Sequence, residues 1–401
     1  MIEFDDAQQR LAEAAPAPTR TERVTLAQAR GRVLADDIRA ELDLPPADSS
    51  SMDGYAVRMS DLHDGVALPV SQCVYAGMPA ERLAAQTAAR VFTGSLIPPG
   101  ADAVVMQEDV EREDDTIRLT AAPQPGQYIR RRGEDTARGA LILSAGQRLD
   151  AEHVGLLASQ GLPDVAVFPR LRVGILTTGD ELVEPGQPRE THQIYNSNAA
   201  MLAALVERLD GECTAVLHAA DDTASHAAAF KTLCESCDLV LSVGGASVGD
   251  KDLVKPVLES MGAKLDLWKV RMKPGKPVAL AHLHGTPIIC LPGNPVSSFV
   301  VFALMVSPLM RRMQGRSDVF PYVSYVTLRT DVPRSDPREE FLRARLRLVT
   351  GSNAELELFP KQGSATLSSL VWASGLARIP ADTPVYDGEK VAYYELARWL
   401  S

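Results

Sequence analysis

From Leu171 onward the chain alternates short apolar runs with stretches whose apolar residues recur at helical spacing. The runs are LRVGILTTG, CTAVLHAA, DLVLSVGG, LDLWKV, PVALAHL and PIICLPG. Between or after them stand NAAMLAALVERLD, ASHAAAFKTLCESC, DLVKPVLESMG and PVSSFVVFALMVSPLMRRM. Strands alternating with helices predict right-handed βαβ units around a mostly parallel sheet. Residues 171–315 are therefore expected to form a central doubly wound α/β domain.

The flanks follow other patterns. Residues 1–40 read as helical, with VTLAQARGRVLADDI the most periodic piece. Residues 41–140 are rich in Pro and Gly and carry short alternating runs (ARVFTG, AVVMQEDV, DTIRLTA), as a small β domain does. LDAEHVGLLASQGL returns to helical spacing, so 141–170 is expected to join 1–40 in a discontinuous helical domain. Beyond Arg316, YVSYVTLR, FLRARLRLV and AELELF predict a compact β-barrel-like domain over 316–401. The fold class is thus α/β and β multidomain.

Composition narrows the function. A chain of 401 residues, 45% hydrophobic and 23% charged, has material for several cores, which excludes disorder as its dominant state. The 41 Lys and Arg against 52 Asp and Glu leave a net charge of −11, and aromatics are 5%. Such a chain lacks the basic field and stacking platforms of a nucleic-acid binder. No apolar run reads as a membrane span, and MIEFDD places acids where a signal peptide carries basic residues, so a cytoplasmic location without membrane partners is expected. The five cysteines make no disulfide framework, and C-E-S-C (Cys234, Cys237) reads as two small apolar residues on one helix face.

In open α/β sheets ligands bind beyond the carboxyl ends of the strands. There the chain gathers Asp180 and Glu181 (T-T-G-D-E-L), Asp221 and Asp222, and the loop G-G-A-S-V-G-D-K-D with Gly244, Gly245, Ser247 and Asp252. R-M-K-P-G-K-P adds Lys273 and Lys276, and L-P-G-N-P-V-S-S opens a helix. Each alone has a bland reading: a glycine turn, a solvated charged loop, ordinary capping. G-G-A-S-V-G matches neither a P-loop nor a dinucleotide fingerprint. Asn294 is expected to cap the helix with Pro295 at its first position, leaving free N–H groups and turning the Ser297 and Ser298 hydroxyls outward. Together the set describes a site for a phosphorylated, strongly anionic ligand with a divalent cation held by the acids.

The motifs P-A-D-S-S-S-M-D-G-Y-A-V, F-T-G-S-L-I-P-P-G-A-D-A-V-V-M-Q-E-D, G-Q-Y-I-R-R-R-G-E-D, T-T-G-D-E-L, G-G-A-S-V-G-D-K-D, K-P-G-K-P and L-P-G-N-P-V-S-S stand in this order over nearly the whole chain. In that it resembles the molybdopterin molybdenumtransferase (MoeA) family, and is similar to the C-terminal part of gephyrin. The resemblance implies an elongated homodimer that inserts molybdate into adenylylated molybdopterin, releasing AMP, with Mg2+ assisting. A molybdopterin adenylyltransferase is a candidate partner. It implies catalytic roles for Asp53, Asp135, Glu181, Asp222 and Asp252, with Glu181, Asp222 and Asp252 at the metal. Lys269, Lys273 and Lys276 are implied near the pterin phosphates, and Arg343, Ser364 and Ser368 at the edge of the pterin pocket. Ala246, Ala365 and Ser374 depart from the family's pattern. Two other readings compete: an adenylyltransferase, whose single domain resembles the central one but needs no flanking β modules, and a non-catalytic gephyrin-like scaffold.

Overall fold

The computed structural model describes residues 1–14, 16–63, 65–244, 253–348 and 354–401. They fall into two compact units, one of residues 1–36, 145–154 and 163–401, the other of 37–144 and 155–162.

The first unit is built on a six-stranded sheet. Its strands are β1 (Arg172–Thr178), β2 (Glu212–Ala219), β3 (Leu239–Val243), β4 (Lys264–Lys269), β5 (Pro277–Leu283) and β6 (Thr286–Leu291). The order is β2-β1-β3-β6-β5-β4. The first four are parallel, while β5 runs antiparallel to both β6 and β4. All five β3 residues are buried, which is why the strand reads as a continuous apolar run.

Helices flank this sheet: α1 (Phe4–Glu13), α2 (Ser197–Arg208), α3 (Thr223–Ser236), α4 (Val254–Ser260) and α5 (Pro295–Met313). The last corrects the sequence reading, since α5 is long and apolar enough to cross a membrane, with mean hydropathy 1.4. It is instead the core helix of the fold, 94% buried. Pro308 interrupts it, having no N–H for the Leu304 carbonyl, and residues Phe302–Val306 form a π turn. The Gln8 side-chain amide of α1 donates to that carbonyl. Gln8→Leu should therefore leave a buried acceptor unpaired and cost about 1–3 kcal/mol, read as a lower urea midpoint.

The N-terminal stretch departs from its periodicity. Within VTLAQARGRVLADDI only Leu26–Ala29 is helical, and Glu22–Thr25 is a strand paired antiparallel with Asp164–Val167. Gly31, at φ 73°, ends the helical path, and the Asp210 carboxylate occupies the space a Cβ would need.

The C-terminal β domain belongs to the same unit. Ser324–Arg329, Glu339–Arg347, Glu355–Leu358, Gly375–Ile379 and Lys390–Glu395 close on one another, because Glu339–Arg347 pairs with both Glu355–Leu358 and Gly375–Ile379. Leu328, Leu342, Leu356 and Ile379 fill this barrel. A short strand of the α/β domain, Met272–Lys273, adds to its edge beside Glu339–Glu340.

The second unit is a six-stranded mixed sheet in the order Ala103–Met106, Gly54–Val57, Ala88–Val91, Leu68–Val74, Thr116–Leu119, Val110–Glu113. Its residues sort into two apolar clusters, one around Tyr55, Val57 and Val105, the other around Ala56, Val91 and Val104.

Candidate functional site

Chain order fixes where the crevice opens. From β1 the chain crosses to β2 on one side, then returns to β3 on the other, so the carboxyl ends of β1 and β3 bound a switch point. Gly244, directly after β3, has φ 96° and its N–H donates to Leu291 O at 3.3 Å. A Cβ there would meet Thr178 Oγ1 at 2.6 Å, and Gly244 Cα lies 4.0 Å from where a Cβ on Gly293 would stand. The ends of β1, β3 and β6 thus meet through glycines, leaving backbone exposed to a ligand. Asn198, in the first turn of α2, ties in the β6 loop by donating to Gly293 O at 2.7 Å. Asn196 caps α2 through the Ala199 N–H and holds Thr177 Oγ1 at 2.9 Å. Gly245, Ser247 and Asp252 lie outside the described residues.

The opening of α5 differs from expectation. Pro295 is the first helical residue, as predicted, but the Asn294 side chain makes no capping bond; the Asn294 main-chain carbonyl accepts from Ser298 N at 2.9 Å. Ser297 and Ser298 do not face outward. They are 5% and 0% exposed, and the Ser298 hydroxyl donates to Pro292 O. A helix buried on all sides has no polar face to offer them. Of the first-turn donors, Pro295 has none and Val296 N–H is taken by Ser364 O at 3.1 Å. Ser297 N–H has no backbone acceptor among the described residues and contributes to the partial positive charge of the helix end.

Four carboxylates stand on the rim. Asp180 accepts the Asp221 N–H at 3.1 Å, and the Glu181 carboxylate folds over Gly179. Asp222 is the N-cap of α3: it accepts the Ser225 N–H at 2.8 Å and the Ser225 hydroxyl at 2.6 Å, and the two bonds hold its carboxyl below the usual range. Asp222→Asn should keep this cap and the urea midpoint, whereas Asp222→Ala should lower the midpoint. None of Asp180, Glu181, Asp221 or Asp222 is ion-paired among the described residues. Anionic oxygens without a competing cation suit a hard divalent ion. Among the described residues no three His, Cys, Asp or Glu side chains come together as a metal cluster.

The lysines divide. Lys269 and Lys276 are exposed and unpaired among the described residues. Lys273 is not a free phosphate ligand: its ammonium lies 2.7 Å from Asp336 and 2.9 Å from Glu340, both of which raise its pKa. Burial pushes Asp336 up, but the Lys273 ammonium and the Arg338 N–H outweigh it and hold its carboxyl below the usual range.

Arg343 is 1% exposed. Its guanidinium donates to Ser369 Oγ at 3.1 Å and Gly363 O at 3.1 Å, and burial pushes it down to about 10. No carboxylate pairs with it among the described residues. Arg343 and Ser364 are brought together through Gly363, and Ser364 reaches the α5 start. Ser368, exposed at the head of Ser368–Trp372, makes no capping bond; the neighbouring Ser369 is the serine that holds Arg343.

Two expected residues lie in the second unit. Asp53 accepts from both Thr93 N (2.8 Å) and Thr93 Oγ1 (2.9 Å), which keep its carboxyl below the usual range. Asp135 is exposed, with its backbone N–H on Leu44 O at 2.9 Å. The neighbouring arginines are bound by acids: Arg131 to Asp48 and Arg132 to Asp43, each at 2.6 Å. Thr93, Asn198 and Ser369 escaped sequence reasoning. Only Asn198, in a Y-N-S-N helix start, carried a local signal.

Three family models match along the chain: MoeA N-terminal region (domain I and II) over residues 2–161, probable molybdopterin binding domain over 174–312, and MoeA C-terminal region (domain IV) over 325–396. A molybdopterin molybdenumtransferase of Haemophilus influenzae is 39% identical over 92% of each chain. One from a Nostoc species is 36% identical over 94% of this chain and 89% of its own. The crystal structure of a molybdopterin biosynthesis MoeA protein from Pyrococcus horikoshii superposes with a TM-score of 0.84 at 31% identity, covering 98% of this chain and all of that one.

Proposed function

Because the chain belongs to the molybdopterin molybdenumtransferase family, we propose that it inserts molybdate into adenylylated molybdopterin, releasing AMP and molybdenum cofactor. The observation that supports this most is the meeting of the glycine-lined switch point and the α5 start with the Ser364–Arg343 edge of the C-terminal barrel. A pterin phosphate set there would face the Ser297 N–H, with Lys269 and Lys276 adding charge. Arg343, buried without a carboxylate, is suited to an oxyanion. Glu181 and Asp180 would hold Mg2+, which neutralises phosphate oxygens when bound. Asp53, with one carboxylate oxygen occupied by Thr93 and the other free, is available to a ligand or to water. The active form is a homodimer in this reading, checked by light scattering at micromolar protein.

Purified protein given adenylylated molybdopterin, Mg2+ and molybdate should release AMP and yield molybdenum cofactor. The same protein given molybdopterin and ATP should make no adenylylated pterin, which would be the product of an adenylyltransferase. Failure of AMP release with intact substrate would leave the scaffold reading in its place.

A further inference from the structure

We infer that Asp336 and Glu340 are positioning residues for Lys273, holding its ammonium so that one N–H is presented to a tetrahedral oxyanion. The inference rests on the function proposed above and adds two residues from the C-terminal barrel to its site.

The geometry carries it. An ammonium has three N–H donors. Lys273 Nζ donates to Asp336 Oδ2 at 2.7 Å and is ion-paired with Glu340 Oε1 at 2.9 Å. The two acids are sheltered, their side chains 13% and 11% exposed, whereas that of Lys273 is 40% exposed. At least one of the three N–H donors is thus left for solvent or a ligand. The acids are themselves fixed. Asp336 Oδ1 accepts the Arg338 N–H at 3.1 Å, which orients the carboxylate. Glu340 sits in register beside Lys273, because Met272–Lys273 pairs in parallel with Glu339–Glu340. Arg271 clamps the loop from the other side, donating to Pro337 O at 2.9 Å and accepting the Glu339 N–H at 3.0 Å.

A lysine whose only task was to attract phosphates would be weakened by two carboxylates: with the Arg338 guanidinium, 3.4 Å from Asp336 Oδ1, the four groups sum to zero and leave no net positive charge. Sheltered acids on a flexible, half-exposed lysine make sense as an orienting frame, which removes the rotamer freedom such a side chain otherwise keeps. The positive end then acts by placement more than by bulk field.

The test is a double-mutant cycle between Glu340→Gln and Lys273→Met, repeated with Asp336→Asn. If the acids act through Lys273, Glu340→Gln should lower kcat/KM for molybdate about tenfold in the wild-type background and less than about twofold beside Lys273→Met. A purely structural acid would give the same fold-loss in kcat/KM in both backgrounds, together with a lower melting temperature, and that result overturns the inference. Lys273→Met leaves the sheltered Glu340 without its ion pair and Asp336 with Arg338 alone, so the variant Lys273→Met/Asp336→Asn/Glu340→Gln serves as the folded reference. The same cycle is read in the dissociation constant for orthomolybdate alone by calorimetry. A wild-type protein that releases no AMP overturns the assigned reaction, while coupling on the bare oxyanion still supports the positioning role. Additive effects on that constant overturn the positioning role whatever the reaction.

Discussion

Arg343→Met should lower AMP release by about 100-fold, the loss of one charge-assisted contact worth about 3 kcal/mol, while the protein stays folded. The side chain is 1% exposed, yet among the described residues its partners are neutral: Ser369 Oγ, Gly363 O and Lys361 O. Desolvation is why the guanidinium sits near 10, below an ordinary arginine; the Glu340 carboxylate opposes the shift without forming an ion pair. Such a group costs stability until an anion completes it, which offsets part of the ~1–3 kcal/mol that methionine costs by leaving Gly363 O and Ser369 Oγ without this donor. Methionine therefore separates the two roles. Arg343→Ala would not, because it also opens a cavity, at about 2–5 kcal/mol. Denaturation midpoints for both variants, set beside AMP release and the orthomolybdate dissociation constant, decide the matter. A methionine variant that binds and turns over normally would make Arg343 a structural strut of the Lys361–Gly363 loop.

The parts of the fold legible in the sequence were those where local pattern and tertiary demand agree. β1 and β3 are buried strands of a parallel sheet, and VGILTT and LVLSV read as such. The barrel strands Ser324–Arg329, Glu339–Arg347 and Glu355–Leu358 stand where alternation placed them. The misreadings have one cause in common, a partner distant in sequence. VTLAQARGRVLADDI has helical period, but strand pairing with Asp164–Val167 and the left-handed Gly31 override it. K-P-G-K-P looks like two equivalent lysines; only the fold brings Asp336, 63 residues away, onto Lys273 and leaves Lys276 exposed. Pro295 at the start of α5 was readable from its fixed φ, but the inward turn of Ser297 and Ser298 was not, because nothing local says that the helix is enclosed.

Gly244→Ala should cost about 2–4 kcal/mol of stability and about 100-fold in AMP release. Two effects add. At φ 96° an L side chain is strained whatever its surroundings, by about 1–2 kcal/mol. The new Cβ would also stand 2.6 Å from Thr178 Oγ1 and 3.2 Å from Thr178 O. The hydroxyl can rotate away, but the carbonyl belongs to the last residue of β1, which pairs with Ala219 of β2 and cannot yield without shifting the sheet end. Relief must therefore come from moving the ends of β1 and β3 apart at the switch point, where displacement of about 1 Å is enough to misplace a reacting group. Gly262→Ala supplies the control: its φ is 83°, and nothing lies within 4 Å of the added Cβ. That variant should show the strain alone, about 1–2 kcal/mol, with turnover unchanged. If the two alanine variants lose equal stability and both keep AMP release, the close approach at Gly244 serves only chain reversal, and the ligand lies elsewhere on the rim.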